Sequence, residues 1–313
     1  MASTPLLRIG TRGSRLALVQ TRLVQDLLTA ADPTLAAPGA IEIVVVKTTG
    51  DAVQDRALAD IGGKGLFTKE IDEAMLDGRI DIAVHSVKDV PTWLPDGIEL
   101  ACILKREDPR DALICQRATR LADLPAGAVV GTASLRRQAQ VLSRRPDLEV
   151  RLLRGNVETR LKKIADGAVD ATLLAIAGLK RLGLAGAATA VIEPDEMLPA
   201  VGQGAIGITC RTGDGRAARW LAAIHDAESA ACIIAERALL DVLDGSCRTP
   251  IAALAVISES KHLVLRSLLA RPDGSVVLTA GREGSPDDAA RLGRDAGAEL
   301  RTRGGPGFLD GRD

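Results

Sequence analysis

Short apolar runs alternate with longer amphipathic stretches along most of the chain, the pattern of α/β architecture. Residues 6–10 (LLRIG) read as a strand, and 15–29 as a helix with Leu16, Leu18, Val19, Leu23, Leu27 and Leu28 apolar. Further strands are expected at 41–47, 81–85 and 98–104, and a helix over 66–77 behind the loop Gly62-Gly63-Lys64-Gly65. Charge and proline break the pattern at 105–111 (KREDPRD), which reads as a hinge. A second α/β set follows, with strands near 112–115, 128–131, 149–153 and 171–175 and helices near 134–144 and 156–166. Residues 193–210 read as a return crossing that ends in a strand, before helices over 214–224 and 227–243. The tail carries strand-like runs at 251–257, 262–269 and 275–280, then a helix over 286–302, a small α+β arrangement.

Composition narrows the function classes. The 313 residues are 46% hydrophobic, enough to bury large cores in two or three domains. Aromatic residues are only Phe67, Phe308, Trp93 and Trp220, and the net charge is −1. Both facts count against nucleic acid, which needs stacking platforms for single strands and a basic domain for duplexes. The five cysteines include no CxxC pair and the three histidines are far apart, so a zinc site has no support. No apolar run approaches the roughly 18 residues of a membrane span, and the first residues lack a signal peptide's apolar stretch. A cytoplasmic protein with reduced thiols is expected.

Charge is not spread evenly. Between Gly131 and Lys163 nine basic residues face three acidic ones, a local balance of 9 − 3 = +6. Seven of the nine are arginines: Arg136, Arg137, Arg144, Arg145, Arg151, Arg154 and Arg160. Arginine presents a planar fork that matches carboxylates and phosphates two bonds at a time. An anionic ligand is one reading; a solvated helix face is the plainer one. Four loops sit where a strand gives way to a helix: Thr11–Ser14, His85–Pro91, Gly131–Arg137 and Leu153–Asn156. Ligands of open α/β sheets bind at such carboxyl ends, where helix N-termini offer free N–H groups to anions. In the second loop, Lys88 and Asp89 offer one cationic and one anionic group. A carboxylate there can stabilise positive charge on an intermediate.

Cys247 differs from the other four cysteines. Cys102, Cys115, Cys210 and Cys232 fall within apolar runs and read as buried and inert. Cys247 lies between Gly245-Ser246 and Arg248-Thr249-Pro250, where exposure and a neighbouring cation favour thiolate. Nucleophile, covalent anchor and idle thiol all remain open on these residues alone. GGKGLF (62–67) lacks the GxxxxGK[ST] pattern and reads as a flexible loop with a hydrophobic helix start.

Nine stretches together resemble the hydroxymethylbilane synthase (porphobilinogen deaminase) family. They are LRIGTRGSRLAL, GGKGLFTKE, DIAVHSVKDVP, REDPRDA, GTASLRRQ, LRGNVETRL, AGLKRLG, LPAVGQGAIGI and GSCRTPIA, running in order from residue 7 to 252. Ala133 stands where many members have serine, and Arg15 replaces a frequent proline. The resemblance implies two doubly wound domains, like the lobes of a periplasmic binding protein, enclosing a cleft, plus a small α+β C-terminal domain. Their expected extents are 1–104 with 200–222, 105–199 and 223–313. It implies a dipyrromethane cofactor joined by a thioether to Cys247 and touched by Lys88, Asp89, Ser134, Arg136 and Arg137. Arg12, Ser14, Phe67, Arg154, Arg160 and Arg181 would meet substrate, and Asp89 would be catalytic. The implied reaction joins four porphobilinogen molecules head to tail with loss of ammonia, then releases hydroxymethylbilane by hydrolysis. A monomer with no nucleic-acid or membrane partner is implied. The rival is a non-catalytic solute-binding protein, which has no use for the cysteine loop.

Overall fold

The computed structural model describes residues 5–52, 65, 67–243, 249–306 and 308. They fall into two compact units, the first holding the described residues of 1–54, 63–107 and 205–230, the second those of 108–204 and 231–313. The break at Glu107/Asp108 lies inside the charged segment KREDPRD.

The chain opens with β1 (Leu7–Arg12), α1 (Arg15–Ala31), β2 (Ile41–Val46) and a short α2 (Thr49–Ala52). It continues through α3 (Lys69–Leu76), β3 (Ile82–Ser86) and β4 (Ile98–Ile103). The second unit begins with β5 (Asp111–Cys115), β6 (Val129–Gly131), α4 (Leu135–Arg144), β7 (Glu149–Arg151) and α5 (Val157–Ala165). β8 (Ala171–Ala175), α6 (Ile176–Arg181) and β9 (Ala190–Ile192) follow. β10 (Ile206–Arg211) and α7 (Gly215–Ala222) return to the first unit. The remainder is α8 (Ala227–Val242), β11 (Ile251–Ile257), β12 (Leu263–Ala270), β13 (Val277–Gly284) and α9 (Ala289–Gly304).

Two five-stranded sheets share one plan. The first runs β2-β1-β3-β10-β4 and the second β7-β6-β8-β5-β9. In each, three strands are parallel and the fourth is antiparallel to both its neighbours. Apolar residues cover both faces, as strands sandwiched between helices require. In β5, Leu113 and Cys115 face the core that Val141 of α4 completes, while Ala112 and Ile114 face Ile164 of α5 and Leu179 of α6. The period of two in one strand thus serves two helical layers. In the first unit, Val24 and Leu28 of α1 and Trp220 of α7 cover one face, and Ile71 and Met75 of α3 the other.

The third sheet, β11-β12-β13, is antiparallel. One face packs on α8 and α9 through Leu239, Leu265, Leu292 and Leu300. Gly293 of α9 lets that helix lie close against α8, since a Cβ there would sit 2.1 Å from the Ala235 carbonyl oxygen. The other face meets Ala139 of α4 and Leu198 through Ala252, Leu254 and Leu268. The fold class is therefore the expected one: two doubly wound α/β sheets and a small α+β part.

Candidate active site

Four of the parallel strands, β1, β3, β6 and β7, end at loops that carry candidate site residues. In the first unit, β1 ends at Arg12, and the next residues start α1 with Ser14 as its N-cap; the Ser14 side chain accepts from the Ala17 N–H at 3.3 Å. β3 ends at Ser86, and a single 3₁₀ turn, Val87–Asp89, follows. These ends line a small cleft of about 50 Å³ together with Gln20, Phe67, Thr68 and His85. The Arg12 guanidinium lies 3.5 Å from Asp89 Oδ2 and 4.1 Å from the centre of the Phe67 ring. One cation thus meets a carboxylate and an aromatic face at once. Asp89 keeps about a third of its side chain open to solvent, at 32%. Lys88 projects as an exposed residue on the same turn.

The floor of this cleft is polar and uncharged. Gln20 and Ser86 hydrogen-bond to each other, with Gln20 Nε2 3.0 Å from Ser86 Oγ. His85 is buried, and its Nε2 lies 3.0 Å from Thr209 Oγ1. Burial, and then the neighbouring Arg12, push its pKa down to about 4, so the imidazole is neutral at pH 7. Sequence reasoning passed over Gln20 and Thr209, and noted His85 only as a loop residue. An apolar helix and an apolar strand hid them.

In the second unit, β6 ends at Gly131 and α4 begins after Ser134, whose hydroxyl caps the helix by accepting from the Arg137 N–H at 3.4 Å. β7 ends at Arg151 and α5 begins after Asn156, which accepts from the Thr159 N–H at 2.8 Å. Arg136 and Arg137 are buried, contrary to the usual habit of a charge run. Both share Asp111, the first residue of β5. Arg137 donates twice to its Oδ1, at 3.2 and 2.7 Å, and once to the Leu173 carbonyl at 2.8 Å. Arg136 Nη1 lies 2.8 Å from Asp111 Oδ2, a charge contact without hydrogen-bond alignment, and donates to the Leu198 carbonyl. Arg160 donates to the Gly155 carbonyl at 2.9 Å, and Arg181 ends α6 with its guanidinium on the Gly204 carbonyl at 2.7 Å.

Among the described residues, Arg136 and Arg137 share the carboxylate of Asp111. Burial alone would raise the Asp111 carboxyl, but Arg136 and Arg137 hold it well below the usual carboxylate range. Burial also lowers the Arg136 pKa despite Asp111. Arg160 is pushed down to about 10, first by burial and then by the like charges of Arg137 and Arg154. Arg136 Nε is buried and has no hydrogen-bond partner. A multiply charged carboxylate ligand fits such a set: it would supply acceptors and cancel the repulsion. Sequence reasoning missed Asp111, which it read as part of a charged hinge. An aspartate opening an otherwise apolar strand was the available signal.

Cys247 and the residues Gly62, Gly63 and Lys64 lie outside the described residues. Cys102, Cys115, Cys210 and Cys232 are buried free thiols, as their apolar context implied. Among the described residues no helix is long and apolar enough to cross a membrane, and no histidine, cysteine and carboxylate cluster could hold a metal.

Comparison with known proteins converges on one family. The family model for the dipyrromethane cofactor-binding domain of porphobilinogen deaminase matches residues 7–219, and that for its C-terminal domain matches 230–302. Chloroplastic porphobilinogen deaminase of Oryza sativa is 57% identical over 99% of this chain and 87% of its own length. Porphobilinogen deaminase of Nitrobacter hamburgensis is 56% identical over 97% of this chain and 95% of its own. That of Paracoccus denitrificans is 54% identical over 97% and 96%. With both family models matched in order and such identity along nearly its whole length, this chain belongs to the porphobilinogen deaminase family.

Proposed function

We propose that the protein is a hydroxymethylbilane synthase, a transferase that condenses four porphobilinogen molecules with release of four ammonia and then hydrolyses the product free. The observation that carries this reading is the Asp89–Arg12 pair within one cleft of the first unit. Loss of ammonia leaves positive charge on the substrate pyrrole. Asp89 would accept the pyrrole N–H and stabilise that charge as it develops. The same carboxylate would take up the proton released when a ring carbon returns to aromaticity. Arg12 and Ser14 would hold substrate carboxylates, with Phe67 against a pyrrole face.

When bound, the dipyrromethane supplies the pyrrole carbon on which the chain grows. Cys247 would hold it by a thioether, and Lys88, Asp89, Ser134, Arg136 and Arg137 would bind it. Arg154, Arg160 and Arg181 would meet the acetates and propionates of added rings. Six rings bring about a dozen carboxylates, each costly to desolvate unpaired, which a guanidinium-rich locus offsets. Three domains, 1–104 with 200–222, 105–199 and 223–313, are supported by three separate sheets and by the changeover of family models between 219 and 230. The free buried thiols support a reducing, cytoplasmic setting, and we take the enzyme to act as a monomer on porphobilinogen alone.

Intact-mass measurement tests the proposal. The purified chain should exceed its sequence mass by two linked pyrroles, and the excess should vanish in Cys247→Ser. A bare wild-type polypeptide that porphobilinogen never loads would sink the reading.

A further inference from the structure

The Gly202-Gln203-Gly204 turn ties together three parts of the second unit, and the function above uses none of these contacts. Gln203 is buried, and its Nε2 donates to Asp111 Oδ1 at 2.9 Å and to the Pro109 carbonyl at 2.7 Å. The Gly202 N–H donates at 2.7 Å to Glu236 Oε2 on α8. Glu236 is fully buried, and its other oxygen accepts from the Ala255 N–H of β11 at 2.8 Å. The Gly204 carbonyl receives Arg181. One turn therefore touches the carboxylate beneath Arg136 and Arg137, the guanidinium ending α6, and the helix whose sequence runs on toward Cys247.

These contacts have consequences for geometry. Asp111 Oδ1 holds Arg137 and Gln203, leaving Oδ2 to Arg136. The amide of Gln203 fixes the rotation of that carboxylate and hence how its charge divides between the two guanidiniums. A buried carboxylate with one ligand removed reorients to satisfy the remaining donors, and both guanidiniums follow it. Glu236 meanwhile pins α8 to the same turn through the Gly202 N–H and to β11 through the Ala255 N–H. A ligand attached covalently at one end and held by charge at the other needs both ends in register, and misplacement of about 1 Å can cost about 100-fold in rate.

We propose that this turn is a positioning element that, through Gln203 and Glu236, keeps the Arg136–Arg137 pair in register with α8 for loading of the dipyrromethane. The proposal rests on the functional reading above. Gln203 and Glu236 act through Asp111 and the backbone, so they are positioning residues.

The test follows pyrrole loading by intact mass when cofactor-free full-length chain is given porphobilinogen. Gln203→Leu should load at least about tenfold more slowly, with its urea midpoint and circular dichroism close to wild type. Gln203→Asn, which keeps the amide one methylene short, should fall between the two and serves if the leucine variant does not fold. Glu236→Gln, which retains one acceptor, should also slow loading. The decisive arm is Gln203→Leu combined with Arg137→Gln. If Gln203 works through the arginine pair, the double variant loads no more slowly than Arg137→Gln alone. Multiplying losses, or wild-type loading in Gln203→Leu, would overturn the proposal. Failure of the wild-type chain to gain pyrrole mass would instead defeat the functional reading, so the two failures are told apart.

Discussion

A carboxylate 3.5 Å from a guanidinium and one-third exposed, as Asp89 is, costs the fold little when removed. On the proposed function its worth lies in the reaction. Asp89→Ala should leave the unfolding midpoint within about 0.5 kcal/mol of wild type while turnover falls by about 100-fold or more. Ordinary activity in a steady-state assay would remove Asp89 from the chemistry. Two buried groups near this cleft titrate in opposite senses. His85 has its pKa lowered to about 4 by burial and then Arg12, while burial raises Asp72 to about 6. For His85 the unfolded chain binds the extra proton, so its contribution is lost as pH falls from 6.5 toward 4. For Asp72 the folded chain binds the extra proton, so stability is lost as pH rises from 3.8 toward 6. Each gap is worth about 3 kcal/mol at most, and the two largely cancel between pH 4 and 6. Urea unfolding at pH 4.5 and 6.5 should separate them. Asp72→Asn should become markedly less stable at the lower pH relative to wild type, and His85→Gln markedly more. Parallel behaviour of both variants would refute the assignment.

At the scale of elements, the turn between β12 and β13 shows how the small sheet is fastened to α4. Gly274 has φ +74°, and a Cβ there would lie 2.4 Å from the Ser143 nitrogen and 2.7 Å from the Ala139 carbonyl oxygen. Gln138 of α4 donates to the Pro272 carbonyl at 3.1 Å in the same turn. Gly274→Ala should therefore destabilise by about 2 kcal/mol or more, read as a lower urea midpoint. A neutral substitution would mean that the turn does not dock as described. Sequence pattern revealed most elements because the two periodicities rarely overlap here. It failed where they do. In the run ATLLAIAGLKRLG the strand near 171–175 was legible but α6 was not, because the residues stay apolar almost throughout and no change of period marks the helix. β9 spans only Ala190–Ile192 and is too short for any period. β13 reaches Gly284 through alternating exposed positions, whereas its polar residues Arg282 and Glu283 made it read as ending at 280. Of the candidate site, the arginines and Asp89 were legible as charge in strand-end loops. Asp111 and Gln203 were not, because what they do depends on side chains brought together from distant parts of the chain.

For the molecule as a whole, the +6 run between Gly131 and Lys163 sits in a chain of net charge −1, so the repulsion is local. Part of it is buried. Arg136 and Arg137 share one carboxylate, and Arg160 feels both Arg137 and Arg154. Loading with a carboxylate-bearing cofactor should therefore stabilise the second unit as well as equip it. Two or three charge-assisted hydrogen bonds at about 1.5–3 kcal/mol each, at about 2 °C per kcal/mol for a chain this large, give a gap on the order of 10 °C. On the proposed attachment through Cys247, Cys247→Ser should show wild-type circular dichroism but unfold several degrees lower than loaded wild type. Part of that deficit is repulsion among partly exposed cations, which added salt screens. The gap should accordingly narrow between low salt and about 0.5 M sodium chloride, chiefly because the variant gains. Equal midpoints at low salt, or a gap indifferent to salt, would show that these guanidiniums are already content without carboxylate ligands.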